Sequence, residues 1–251
     1  MRTLKLTIAY DGTRYAGWQT QRTRSSPPTI QQTLERILQR ILQEPVRVVG
    51  SGRTDAGAHA LAQVAHVKTR SQVPVSRLLR SLNQLLPPEI SVLHIHEAPQ
   101  TFHARFGARR KRYAYRVFTG PVVPPFIRPY VHHVTARLNT AVIRREATVL
   151  AGRHDFKAFA RAGQRRGTIR TIHHAAVHRR GAELQFEFEG NGFLHTMVRS
   201  MVGTLIDVGR GRLPPGTVRR MLTTGQRGLA GTTAPACGLT LLCVRYGRED
   251  G

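Results

Sequence analysis

The sequence predicts an α+β fold built from two consecutive β-α-β-β-α-β halves, residues 1–105 and 106–251. Each half reads as a split βαβ unit of the ferredoxin-like kind. Three observations carry this. Period-two alternation of apolar and polar residues marks strands, and apolar stripes at helical spacing mark helices between them. The same order of elements then recurs after a break near residues 99–110. Two such sheets imply a mainly antiparallel sheet with helices packed on it and a central cleft, a common place for a site.

In order, Leu4, Leu6, Ile8 and Tyr10 alternate with Lys5, Thr7 and Ala9 as a half-buried strand. Thr29 opens a helix, with Gln32 three residues on as a capping box. Ile30, Leu34, Ile37, Leu38, Ile41 and Leu42 form its apolar stripe, and Pro45 stops it. Val46–Val49 is a short strand, a Gly-rich loop runs from Gly50 to about Ala60, and Gln63–Thr69 is a strand. Ser76 caps a helix through Leu86, and Ile90–Glu97 closes the first half. In the second half, Lys111–Thr119 is a strand with Tyr113, Tyr115 and Val117 on one face. Leu138–Leu150 fits a helix, and Thr168–Arg179 and Glu183–Glu189 fit strands. A helix follows Gly190-Asn191-Gly192 with Leu194, Met197, Val198, Met201, Val202, Leu205 and Ile206 inward. A short helix comes after Pro214-Pro215, and Leu239–Tyr246 is the last strand. Thr20–Pro28 and Ala160–Gly167 read as solvated, Arg-bearing loops.

Charge narrows the partner. Thirty-nine Lys and Arg face fourteen Asp and Glu, a formal net charge of +25. The excess is spread evenly, with 19 basic against 6 acidic residues in 1–125 and 20 against 8 in 126–251. A compact body carrying that much self-repulsion calls for a polyanion, and Arg, 35 of the 39, suits phosphate and stacks on bases. No apolar run is long enough to span a membrane, and the N-terminus lacks a secretory apolar core, so a cytoplasmic chain is expected. Cys237 and Cys243 match no metal or redox spacing and read as buried structural thiols. His132-His133 and His173-His174 with His178 lack the carboxylate partners of a zinc site and read as surface histidines; no metal is expected. Trp18 reads as core.

Fourteen carboxylates can be weighed singly. Asp11 precedes Gly12 and reads as a turn residue; Glu183, Glu187 and Glu189 lie on the outer face of an alternating strand. Asp55 stands apart, in Gly50-Ser51-Gly52-Arg53-Thr54-Asp55-Ala56-Gly57-Ala58-His59-Ala60. Small residues there let backbone or ligand approach closely, and Arg53 two positions away favours the ionised carboxylate. That suits a nucleophile or base rather than a general acid. An Asx turn with an Arg ion pair is the ordinary alternative. A phosphate loop would need a Lys and different Gly spacing, and a metal-dependent nuclease would need clustered carboxylates.

Gly52-Arg53-Thr54-Asp55-Ala56-Gly57-Ala58-His59 resembles the catalytic signature of the TruA family of tRNA pseudouridine synthases. The resemblance continues in order through Tyr10-Asp11-Gly12, Tyr15-Ala16-Gly17-Trp18-Gln19, Phe102-His103-Ala104-Arg105-Phe106 and Lys111-Arg112-Tyr113-Ala114-Tyr115. It ends with Phe193-Leu194-His195-Thr196-Met197-Val198-Arg199 and Pro235-Ala236-Cys237-Gly238-Leu239. Ala58 stands where the family often has Val, and the segment after Trp18 looks longer than usual. The resemblance implies a pseudouridine synthase fold and conversion of uridine to pseudouridine at tRNA positions 38, 39 and 40 in the anticodon stem-loop, by a homodimer without cofactor. It implies Asp55 as the catalytic carboxylate, Tyr113 packing on the target uracil, and Arg199 as the partner of that Asp. It further implies Arg53 touching RNA backbone or everted nucleotide and Leu239 as an apolar wall. The alternative class is a basic RNA-binding or ribosome-associated protein without catalysis.

Overall fold

The computed structural model describes residues 1–20, 27–161, 163 and 167–247. Most of the two stretches expected as loops, Thr20–Pro28 and Ala160–Gly167, lies outside the described residues. The fold is α+β. The chain forms two compact units, residues 1–109 with 241–251, and residues 110–240.

The first unit contains β1 (Arg2–Tyr10), α1 (Ile30–Leu42), β2 (Val49–Gly50), β3 (His59–Thr69), α2 (Val75–Leu85) and β4 (Ile90–Ala98). That is the expected β-α-β-β-α-β order. β1 pairs antiparallel with both β3 and β4, and β2 pairs antiparallel with β3. The expected strand over Val46–Val49 is reduced to two paired residues, whereas β3 starts four residues earlier than its apolar pattern, because Ala60 pairs with Tyr10. Leu4, Leu6 and Ile8 point one way from β1 and are fully buried with Val67 and Ala65 of β3 and Ile30, Leu34 and Leu38 of α1. The capping box forms as read: Gln32 N–H donates to Thr29 Oγ1 at 3.2 Å, and Thr29 N–H donates to Gln32 Oε1 at 3.1 Å. Such a cap contributes about 1 kcal/mol to helix stability. α1 ends before Pro45, at Gln43 in the left-handed region (φ 56°). Pro74, not Ser76, occupies the cap position of α2, so no side chain caps it.

The second unit contains β5 (Arg110–Phe118), β6 (His132–His133), α3 (Thr140–Thr148), β7 (Gly152–Asp155), β8 (Ile169–Arg180), β9 (Glu183–Gly190), α4 (Met197–Gly209) and α5 (Thr217–Thr224). β5, β9, β8 and β7 pair antiparallel in that order, and β6 adds a short parallel pairing to β5. β7 has no apolar alternation and was not foreseen; pairing of Gly152 through Asp155 with β8 makes it a strand. The three outward glutamates of β9 meet three arginines of β5: Arg110–Glu189, Arg112–Glu187 and Arg116–Glu183. Each pair is diagonal to the strand register, within reach of long side chains, and adds to the pairing of these two strands. Leu184, Phe186 and Phe188 lie on the same β9, fully buried.

The last strand, β10 (Leu239–Arg245), begins in the second unit, but from Leu241 onward it belongs to the first, where it runs beside β3. No helix among the described residues is long and apolar enough to cross a membrane.

Candidate active site

Asp55 sits at the start of a tight turn. Its carbonyl accepts Ala58 N–H at 3.1 Å, and Gly57 takes a φ of +79°. That is the position where a type II turn needs a positive φ, which favours glycine. Residue 55 is half-exposed, Arg53 and Ala56 are exposed, and Thr54, Ala58 and His59 are buried. The loop thus presents its acid at the surface while its neighbours anchor it.

The anchors come from residues 10–18, between 36 and 47 positions away. Tyr10 Oη and Thr54 Oγ1 share a buried hydrogen bond of 2.9 Å. Burial pushes the Tyr10 phenol up to about 12, so it stays protonated. Trp18 N–H donates to Thr54 O at 3.2 Å, and Gly57 N–H donates to Tyr15 O at 3.3 Å. Gly12 passes so close to Ala58 that a Cβ there would lie 1.9 Å from Ala58 O. Gly17, at φ +84°, lies against the backbone of Thr54, Asp55 and Ala56. Trp18 is buried beneath the loop entry, its indole against Gly50, as the core reading expected. Ser51 Oγ donates to Gln63 Oε1 at 2.6 Å, and Gln63 Nε2 donates to Gly52 O at 3.2 Å. His59 Nδ1 lies 3.1 Å from both Gly12 N and Asp11 Oδ1. Thr13 N–H donates to Asp11 Oδ1 at 2.9 Å, in keeping with the turn role expected of Asp11. Thr54 and His59 thus support the turn.

The remaining described carboxylates have structural partners. Glu146 accepts Gly216 N–H and Val218 N–H at the start of α5. Asp207 accepts Thr232 N–H and pairs with Arg210. Glu35 accepts Val48 N–H, Glu44 accepts Arg70 N–H, and Asp155 accepts Lys157 N–H. Glu89 and Glu97 pair with Arg14 and Arg2. The β5–β9 pairs account for Glu183, Glu187 and Glu189. Among the described residues no three His, Cys, Asp or Glu side chains converge as a metal site.

Tyr113, Arg199 and Leu239 belong to the second unit. Tyr113 is nearly buried on β5, with the edge of Phe193 against its ring at 5.0 Å. Two residues on, Tyr115 Oη donates to Pro235 O at 2.7 Å and its ring lies against Gly238, next to buried Leu239. Burial raises the Tyr115 phenol, and the nearby Arg199 charge opposes that. Arg199, on α4, donates from Nε to Ala234 O at 2.7 Å and accepts Ala234 N–H on its own carbonyl at 3.1 Å. A Cβ on Gly203 would lie 1.7 Å from Thr232 O, so segment 232–234 lies directly on α4. The expected helix entry at Leu194 is instead a turn; α4 starts at Met197 behind Thr196, held at φ +62°. A β-branched residue at positive φ is strained, and such strain clusters at functional sites. Both cysteines are half-buried rather than buried, and Cys237 donates to Val131 O. His133, His173, His174 and His178 are exposed and His132 half-buried.

A family model described as tRNA pseudouridine synthase matches residues 6–107 and 147–247. The chain belongs to this family. The tRNA pseudouridine synthase A of Exiguobacterium sp. is 43% identical over 251 residues, all of both chains. Those of Geobacter sulfurreducens and Moorella thermoacetica are 44% and 42% identical over 247 residues, 98% of this chain and all of theirs. Among solved structures, the archaeal box H/ACA sRNP Nop10-Cbf5 complex superposes loosely, at 13% identity and TM-score 0.36, over 97% of this chain and 49% of that one. The family indicated by the Asp55 loop and the ordered motifs is therefore the one to which the chain belongs, and the α+β fold is a pseudouridine synthase fold.

In a tRNA pseudouridine synthase the reaction asks for little. One glycosidic bond breaks and one forms, a proton leaves C5 while one is taken up at N1, and no group is added.

Proposed function

We propose that this chain isomerises uridine to pseudouridine in the anticodon stem-loop of tRNA, at positions 38, 39 and 40, with Asp55 as the catalytic carboxylate. The observation that carries the assignment of Asp55 is its half-exposed position at the head of a turn held in place by Tyr10, Tyr15 and Trp18. In the reaction the N1–C1′ bond breaks, the uracil turns, and C5 bonds to C1′. C5 releases its hydrogen as a proton and N1 takes one up, so atoms balance without redox or water. Asp55 serves as nucleophile or as base at the sugar. A stacked uridine must first leave its helix, and an aromatic ring can replace the lost stacking. Tyr113 offers that ring, Leu239 an apolar wall, Arg199 a positive charge and Arg53 a contact to the RNA. The reading includes a cofactor-free homodimer working in the cytoplasm. The net charge of +25 supports a polyanionic substrate, with binding that weakens steeply as salt rises.

The test is purified protein with an unmodified tRNA transcript, followed by nucleoside mapping with and without chelator. Pseudouridine at positions 38–40, indifferent to chelator, is expected. Asp55→Asn should bind tRNA within a few-fold of wild type and form none. A wild type that binds tRNA without isomerising it would establish a non-catalytic RNA-binding protein instead, and chelator-sensitive cleavage would indicate a nuclease.

A further inference from the structure

One aromatic surface of the first unit takes no part in the candidate active site. Phe106 is 78% exposed, although it belongs to a tightly pinned turn. Phe102 N–H donates to Pro99 O, Gly107 N–H donates to His103 O, and Tyr246 Oη donates to Ala104 O. His103 Nδ1 accepts the N–H groups of both Arg105 and Phe106, each at 3.2 Å, which fixes its ring within the turn. The Phe106 ring stacks on that fixed imidazole, with centroids 4.3 Å apart and planes 26° apart. Behind it, His103 meets buried His66 at 4.9 Å, and His66 Nδ1 accepts Ala104 N–H. The rings thus run outward in series from the sheet and end in a phenyl group facing water. The Arg105 guanidinium lies 5.8 Å from the phenyl centroid.

We propose that Phe106 is a stacking platform for an unpaired base of the RNA substrate, other than the uridine addressed at Asp55. The proposal rests on the RNA-modifying reading above and extends it to how the substrate is held. A phenyl group immobilised on one side has already given up the rotational freedom that stacking would otherwise cost. The Arg105 cation over the ring favours a phosphate-bearing ligand over an apolar protein partner, and base–aromatic stacking tolerates any base. Position separates this site from the acid. His66 lies seven residues along β3 from His59, about 23 Å at strand rise, so one nucleotide does not reach both.

The experiment compares wild type, Phe106→Ala and Phe106→Trp. The measurements are tRNA affinity across a salt series, single-turnover pseudouridine formation at saturating protein, thermal melting and sedimentation. Phe106→Ala should weaken tRNA binding about ten-fold, the scale of one lost base stack. The salt slope should stay unchanged, because no phosphate contact is removed. The melting temperature and the saturated rate should hold, and Phe106→Trp should restore affinity. Wild-type affinity in Phe106→Ala overturns the proposal, as does a Trp variant as weak as Ala. Loss accompanied by a change in oligomeric state also overturns it, by assigning Phe106 to a contact between copies. If wild type isomerises tRNA and Phe106→Ala binds normally, only the platform fails. If wild type binds tRNA through Phe106 but forms no pseudouridine, only the catalytic reading fails.

Discussion

Gly12→Ala is the sharpest probe of how the Asp55 turn is held. The added Cβ would lie 1.9 Å from Ala58 O, where real contacts stay beyond 3.0 Å, so the two strands of backbone must part by about 1.1 Å. Neither side yields cheaply. Ala58 is tied to Asp55 through its own N–H, and Gly12 N–H is bonded to His59. A displacement of about 1 Å near a reacting group costs roughly 100-fold in rate. Overpacking of this kind costs roughly 1–3 kcal/mol of stability. Because neither residue carries charge, tRNA affinity should change by less than about three-fold. Release of the C5 hydrogen from tritiated tRNA reports the rate, filter binding the affinity, and urea unfolding the stability. Gly228→Ala is the control: no atom lies within 4 Å of its Cβ position, and it should be silent in all three. A Gly12→Ala protein with the wild-type rate would refute the idea that this contact sets the carboxylate's position.

Two pH effects follow from buried rings in the same unit. The Tyr10 phenol is raised by burial from 10 to about 12, so its protonated form is favoured in the fold; the stability it contributes is complete below pH 10 and lost as pH rises towards 12. The loss should be about 2–3 kcal/mol by urea unfolding, and Tyr10→Phe should remove that part of the alkaline slope while leaving Thr54 Oγ1 without its partner. The His66 imidazole is lowered to about 4 by burial, with His103 and Lys68 adding to it. Its contribution is therefore present above pH 6.5 and lost as pH falls through 4, and His66→Ala should flatten that acid limb in the same assay.

The legible parts of this protein were those encoded locally. Thr29 and Gln32 lie three residues apart and close a capping box, so the start of α1 could be read directly. Leu184, Phe186 and Phe188 alternate with acids, so β9 could be read as well. Asp55 was legible because its residue type is rare in this chain and its neighbours are small. The bracing of its turn was not legible, since Tyr10–Thr54 and Gly12–His59 join positions 44 and 47 residues apart. The fold engages the hydroxyl of Thr54 and the imidazole of His59 in that bracing. β7 escaped notice because an edge strand of Gly-Arg-His-Asp owes its form to its neighbour. Thr196 escaped because no residue type announces a strained φ in a threonine. Phe106 lay within a quoted motif, but only its exposure separates it from core phenylalanines.

The return of the final strand to the first unit has a consequence for biogenesis. The strand that leads directly out of the Asp55 turn has a neighbour synthesised some 180 residues later. On a ribosome, everything around the acid can emerge and still wait for that last edge. A chain cut short before Leu241 would expose a bare strand edge in place of a finished sheet, a form prone to pairing with other chains. Synthesis through β10 thereby becomes a condition for assembling the Asp55 loop on a complete support.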